Sequence, residues 1–143
     1  MPIGAERTIV DTGPLVAALN AADAHHAWAC EVFGRLMPPV FTCEAVLSEA
    51  QFLLSARGGN PLAIIEWVRT GVLSLAFDAK SEIERLLVLQ RSYRRLPMAF
   101  ADACLVRMTE LYECSRVLTT DSDFHIYRRN RRQVIPLLVP PNL

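Results

Sequence analysis

Lysine is almost absent: Lys80 is the only one, and the other fourteen of the fifteen basic side chains are arginine. That bias favours bidentate contacts to phosphate or carboxylate over plain solubility. Net charge is missing too, because fifteen acidic residues cancel the fifteen basic ones. Neutrality argues against coating nucleic acid by bulk charge and leaves only a local basic stripe for such contacts. The four cysteines (Cys30, Cys43, Cys104, Cys114) show no C-x-x-C spacing and lie in apolar or helical surroundings. They read as reduced thiols, not as a zinc site or a disulfide framework. No signal-peptide pattern opens the chain and no apolar run approaches the roughly 20 residues needed to cross a bilayer, so a soluble cytoplasmic protein is expected. Repeats, linkers and low-complexity tracts are also lacking. With 143 residues, 52% hydrophobic and 21% charged, the chain reads as one folded domain spanning 1–143.

What is present is an alternation of strands and helices. Ile9-Val10 reads as a short buried strand that runs straight into Asp11-Thr12-Gly13-Pro14 and an apolar helix, Leu15 to Leu19. A helix from Ala24 to Leu36 ends at Pro38-Pro39, and Val40-Phe41 is a second strand. Thr42 is a suitable cap for a helix reaching Arg57; Gly58-Gly59-Asn60-Pro61 turns the chain into a helix to about Arg69. Val72 to Phe77 reads as a third strand, and Ser81 to Tyr93 as an amphipathic helix. A helix restarts at Leu96-Pro97 and reaches Tyr112; Val117 to Thr120 and Val134 to Val139 supply strands four and five. The pattern predicts an α/β domain with a mostly parallel, five-stranded sheet and helices on both faces.

The acids stand where a core or a strand end should be. Only six aspartates occur; Asp11 ends the first strand, and Asp121 and Asp123 follow the fourth. In open parallel sheets, ligands bind at such carboxyl ends. Alone, Asp11 reads as a helix cap. Asp102 shares its helix face with Met98, Ala99, Leu105 and Val106 and has no basic residue within a turn. A carboxylate in that stripe needs compensation, from a backbone hydrogen bond or from something else. Glu44 and Glu49 are five residues apart, about 140° around a helix, so a regular helix cannot aim both at one site. Glu44 suits the first turn electrostatically. Glu49, flanked by Ala45, Phe52 and Leu53, is expected to face the core and is the functional candidate of the two. Asp11, Glu49, Asp102 and Asp121 gathered in one cleft would repel unless a cation joined them. Oxygen-only ligation suits Mg²⁺ or Mn²⁺, and no Lys or His is placed as an obvious protein base. That chemistry fits metal-assisted hydrolysis at phosphorus.

The segments Ile9-Val10-Asp11-Thr12, Val46-Leu47-Ser48-Glu49-Ala50, Phe100-Ala101-Asp102-Ala103 and Leu118-Thr119-Thr120-Asp121-Ser122-Asp123-Phe124, in this order, resemble the PIN domain, most closely VapC-type toxins. The resemblance covers nearly the whole chain. It implies a three-layer α/β/α fold and a Mg²⁺- or Mn²⁺-dependent ribonuclease, inhibited by a small antitoxin protein and commonly a homodimer. It carries Asp11, Glu49, Asp102 and Asp121 over as metal-site acids, with Asp123 as a fifth and Thr12 and Thr119 as supporting hydroxyls. Asp23-Ala24-His25-His26 also matches the family, with no role assigned. Where the family often has an acid or hydroxyl just ahead of the Asp102 position, this chain has Ala99.

The remaining features have two readings each. Arg128, Arg129, Arg131 and Arg132 either contact RNA phosphates or an acidic antitoxin segment, or form a solvated turn. His25, His26 and His125 lack metal-ligand spacing with any cysteine, and Trp28 and Trp67 sit at helical spacing within apolar stripes, so packing roles are expected. Asp11-Thr12-Gly13 also spells the aspartic-protease tripeptide, but the following Pro14 and helix contradict the hairpin that those enzymes need. The alternative that keeps the same fold is a non-catalytic interaction module, since fold does not fix function.

Overall fold

A computed structural model describes residues 6–143. Its main sheet has five parallel strands in the order β3 (Leu73–Ser74), β2 (Val40–Phe41), β1 (Arg7–Val10), β4 (Ser115–Leu118) and β7 (Leu137–Leu138). The elements run β1 (Arg7–Val10), α1 (Thr12–Leu19), α2 (His26–Arg35), β2 (Val40–Phe41), α3 (Glu44–Arg57), α4 (Leu62–Arg69) and β3 (Leu73–Ser74). After them come α5 (Ile83–Ser92), α6 (Phe100–Leu111), β4 (Ser115–Leu118), β5 (Arg128–Arg129), β6 (Gln133–Val134) and β7 (Leu137–Leu138). β1 lies at the centre because Ile9 and Val10, fully buried, offer apolar side chains to both faces of the sheet. Its partner β4 matches it with Val117 and Leu118, also fully buried, in the register Ile9↔Val117 and Val10↔Leu118. α6 packs on both strands and contributes Ala103, Cys104, Leu105, Val106 and Met108 to the core. Each large aliphatic side chain so removed from water stabilises by about 1.5–3 kcal/mol before entropy is counted.

Local chemistry moved several boundaries from those expected. The Asp23 carboxylate accepts from His25 N at 2.9 Å, a small Asx turn that delays α2 to His26. Thr42 does not cap α3: its buried hydroxyl donates to Val10 O at 2.8 Å, so Cys43 takes the cap position. Pro97 and Met98 stay outside the helix, and α6 starts at Phe100. The third strand shrinks to Leu73–Ser74, the length its two-residue neighbour β2 can pair. The fifth expected strand is split at Pro136, which has no N–H for a ladder. Its first part pairs antiparallel with Arg128–Arg129 in a separate ribbon, and its second part, β7, becomes the sheet edge.

The chain leaves β1 toward β2 and β3 on one side, then returns to place β4 on the other. The order therefore reverses between β1 and β4, and a crevice opens at their carboxyl ends. Gly13 keeps it narrow. A Cβ there would lie 2.0 Å from Thr120 Oγ1, so only glycine lets the start of α1 approach the β4 loop so closely.

Candidate metal centre

Asp11 is the first residue past β1, and its backbone N–H still pairs with Leu118 O at 2.9 Å. Its Oδ1 accepts from Thr12 N and its Oδ2 from the Thr119 hydroxyl, both at 2.7 Å. Thr119 Oγ1 in turn accepts from Asp121 N at 2.9 Å, and Asp121 Oδ1 accepts from Asp123 N at 2.9 Å, capping a short 3₁₀ turn, Ser122–His125. Asp102 arrives from the first turn of α6. Its Oδ2 accepts from the Tyr127 hydroxyl at 3.0 Å, and the Ala99 amide also donates to it. One oxygen from each of Asp11, Asp102 and Asp121 lies within 4.8 Å of the others. Among the described residues no Lys, Arg or His forms an ion pair with any of the three.

That omission shows in the acidities. Burial pushes Asp11 up to about 7 against the opposing hydrogen bonds from Thr119 and Thr12, with added repulsion from Asp102 and Asp121. Burial likewise raises Asp102 to about 6 against the Tyr127 hydrogen bond, with repulsion from Asp121 and Glu49. Three mutually repelling oxygen ligands, each steadied by hydrogen bonds, fit a hard divalent cation. The buried Thr12 hydroxyl, without a protein partner, adds one more oxygen available to a water or ligand there. A concavity of about 1030 Å³ lies at the opposite end of the sheet beside Arg7, Phe41 and Tyr112, and holds none of these acids.

Other predicted residues fall elsewhere. Glu49 does not face the core. The buried stripe of α3 is Val46, Ala50 and Leu54, spaced by four, which turns Glu49 and Phe52 to solvent. Glu49 lies outside the three-carboxylate set, yet near enough for its charge to act on Asp102. Glu44 is exposed in the first turn, as expected. Asp123 contributes backbone: its N–H caps Asp121 and its carbonyl accepts from Ile126 and Tyr127. Of the arginines, Arg129 is buried and donates to Glu113 O at 3.0 Å, and Arg128 folds back onto the carbonyls of His125, Ile126 and Tyr127. Within this run of four, Arg131 and Arg132 stand exposed, at the tip of the β5–β6 ribbon. That ribbon is anchored to the far end of α6, where Asn130 N donates to Glu110 Oε2 at 2.6 Å. Eight helical residues separate Asp102 from Glu110, about 12 Å, so the exposed pair is not beside the acids. His26 Nδ1 donates to Ala17 O at 2.7 Å and ties α2 to α1. Trp28 and Trp67 pack against the core, and all four cysteines are free of disulfides.

Tyr127 is the site residue that the sequence reading missed. It is fully buried, and burial with the nearby Asp102 charge keeps its phenol protonated well beyond the usual range. One signal was available: Phe124 and Tyr127 stand three apart after the Asp121 motif, a spacing that stacks them on one side of a helical turn.

A parallel sheet with its carboxylates gathered at the β1/β4 reversal matches the PIN domain model over residues 8–130, and the chain belongs to that family. Among curated relatives, Ribonuclease VapC26 of Mycobacterium tuberculosis is 28% identical over 115 residues, covering 79% of this chain and 85% of the relative. Among solved structures, VapC20 of Mycobacterium tuberculosis, described as a Sarcin-Ricin loop cleaving toxin, superposes with a TM-score of 0.73 at 26% identity. That likeness covers 90% of this chain and 99% of the solved one. No helix among the described residues is long and apolar enough to cross a membrane.

Proposed function

We propose that residues 1–143 form one domain acting as a divalent-metal-dependent endoribonuclease, the toxin of a toxin–antitoxin pair. The observation that carries this reading is the convergence of Asp11, Asp102 and Asp121 with no cationic side chain to neutralise them. These three would hold Mg²⁺ or Mn²⁺. Such an ion supplies the charge that polarises a phosphoryl group and eases ionisation of an attacking water. Thr12 N and Thr119 fix both oxygens of Asp11, and Thr119 also holds the Asp121 backbone, so one hydroxyl sets the spacing of two ligands. Glu49, exposed at the rim, adds negative charge from the solvent side and becomes useful once substrate covers it. Arg131 and Arg132 would meet RNA phosphates some distance along from the scissile bond, or an acidic stretch of an antitoxin.

The relatives' names supply the substrate class: VapC26 is a ribonuclease and VapC20 cleaves the sarcin-ricin loop. A structured RNA is therefore the proposed substrate, with a small antitoxin and a second copy of the chain as partners and the cytoplasm as the location. The test is cleavage of a total RNA pool by antitoxin-free protein with Mg²⁺ or Mn²⁺. Chelator is expected to stop it. Asp102→Asn is expected to stay folded and lose about 10²-fold or more in rate, the scale of removing one strong electrostatic contribution. A folded variant that cuts at the wild-type rate would remove Asp102 from the site. A wild type inert on the whole pool would favour the non-catalytic interaction module.

A further inference from the structure

We infer that Tyr127 is the positioning residue of Asp102, holding that carboxylate with one oxygen tied back and the other turned toward Asp11 and Asp121. The inference rests on the proposed metal site and concerns how the chain presets it. Asp11 and Asp121 follow directly from β1 and β4 and are fixed by hydrogen bonds from residues adjacent or nearby in those loops. Asp102 comes from a helix instead; beside the local Ala99 amide, its side-chain donor among the described residues is Tyr127, 25 residues away. A carboxylate on a helix can rotate about two torsions and, left alone, can present either oxygen or both.

The phenol has little freedom to follow it. Its ring is fully buried between Phe124 and Tyr93, with centroids 5.2 Å away on each side and both contacts edge-on. Its backbone N–H donates to Asp123 O at 3.1 Å, within the turn that Asp121 caps. Tyr93 is secured in turn, because its hydroxyl accepts from Arg128 N at 2.9 Å. The hydroxyl is thus aimed by packing, and it ties the α6 ligand to the same turn that carries the β4 ligand. Loss of a partner behind a metal ligand typically costs about 10–100-fold in metal affinity or activity.

Mn²⁺ binding separates this role from a merely structural one. Tyr127→Phe keeps the ring and its packing and removes the hydroxyl; Tyr93→Phe makes the equivalent change one ring further out. Free Mn²⁺, read by electron paramagnetic resonance during titration, gives the affinity of each protein, and metal-free melting reports its fold. Tyr127→Phe is expected to melt within about 5 °C of wild type and to bind Mn²⁺ about 10-fold or more weakly. Tyr93→Phe loosens the ring's support but leaves the hydroxyl on Asp102, and is expected to weaken binding clearly less than Tyr127→Phe does. Equal affinity in wild type and Tyr127→Phe would overturn the inference, and so would equal weakening by both variants, which would assign the effect to packing. A wild type that binds no Mn²⁺ would instead remove the metal reading itself, and this inference with it.

Discussion

Raising the pH of the metal-free protein is expected to lower its stability, against the usual behaviour of a carboxylate. Asp11 has an ordinary value of 3.8 and is held near 7 in the folded chain. Between those values the folded state keeps a proton that the unfolded chain has released. The stabilising protonated form is fully present below pH 3.8, and its benefit is lost progressively until the folded value is passed. Two units within the window from pH 5 to pH 7.5 correspond to about 3 kcal/mol for this one group. For a chain of this length that is a fall on the order of 10 °C in melting temperature. Asp102 shifts in the same direction, but it is only half-buried and shares the same repulsion, so the acids titrate as a set and its part is not added separately. Two controls define the source. Asp11→Asn removes the most shifted group and is expected to reduce the slope, leaving the part that Asp102 carries; saturating Mn²⁺ is expected to abolish the fall by neutralising the set and adding binding energy to the fold. Melting followed by circular dichroism in chelator across this range is the assay. A profile that is flat or rising in the metal-free wild type, or one that keeps its slope in Asp11→Asn, refutes the account of the centre.

Two further substitutions test separate parts of the reasoning. Glu49→Gln is expected to reduce RNA cleavage strongly while Glu44→Gln leaves most of it, with melting unchanged in both because each side chain is exposed; the reverse ranking would assign the rim position to Glu44. In Gly13→Ala, rotation of Thr120 relieves the 2.0 Å clash with its hydroxyl but leaves its Cβ at 3.3 Å. The residual crowding, about 1–3 kcal/mol, outweighs the gain of up to about 1 kcal/mol from replacing a helical glycine. A lower melting temperature is expected, and an unchanged or higher one would show that the crevice is not closely packed.

The parts of this molecule readable from sequence were those in which one local signal sufficed. Ile9-Val10 running into Asp11, Thr12 and Pro14 gave both the strand and its acid. Asp102 stood out because it interrupts an apolar face, an anomaly that needs no tertiary knowledge. Glu49 misled for the complementary reason: Ala45, Phe52 and Leu53 form an apolar set around it, and only packing decided that Val46, Ala50 and Leu54 would be the side turned inward. Arg128 to Arg132 read as one basic run, yet the ribbon divides it: Arg129 lies in a strand and is buried, while Arg131 and Arg132 fall in the turn and stand in water. Tyr127 was invisible as a site residue because its partner is 25 residues away on another element. Pro136 marks the break within the last strand, though the apolar run on either side of it conceals the change of partner.

The bond between Thr119 and Asp11 spans 108 positions of the chain, and β1 finds its β4 neighbour across the same interval. Contacts this distant close late, after the entropy of a long loop has been met. During synthesis from the amino terminus, β1, β2 and β3 emerge long before their central neighbour exists. A ribosome paused at Glu113 carries a chain with Asp11 and Asp102 but without Thr119, Asp121 or Tyr127, and β1 has a bare edge where β4 belongs. Until the residues after Glu113 are made, the proposed metal site holds only two of its three acids and lacks the hydroxyls that fix two of them.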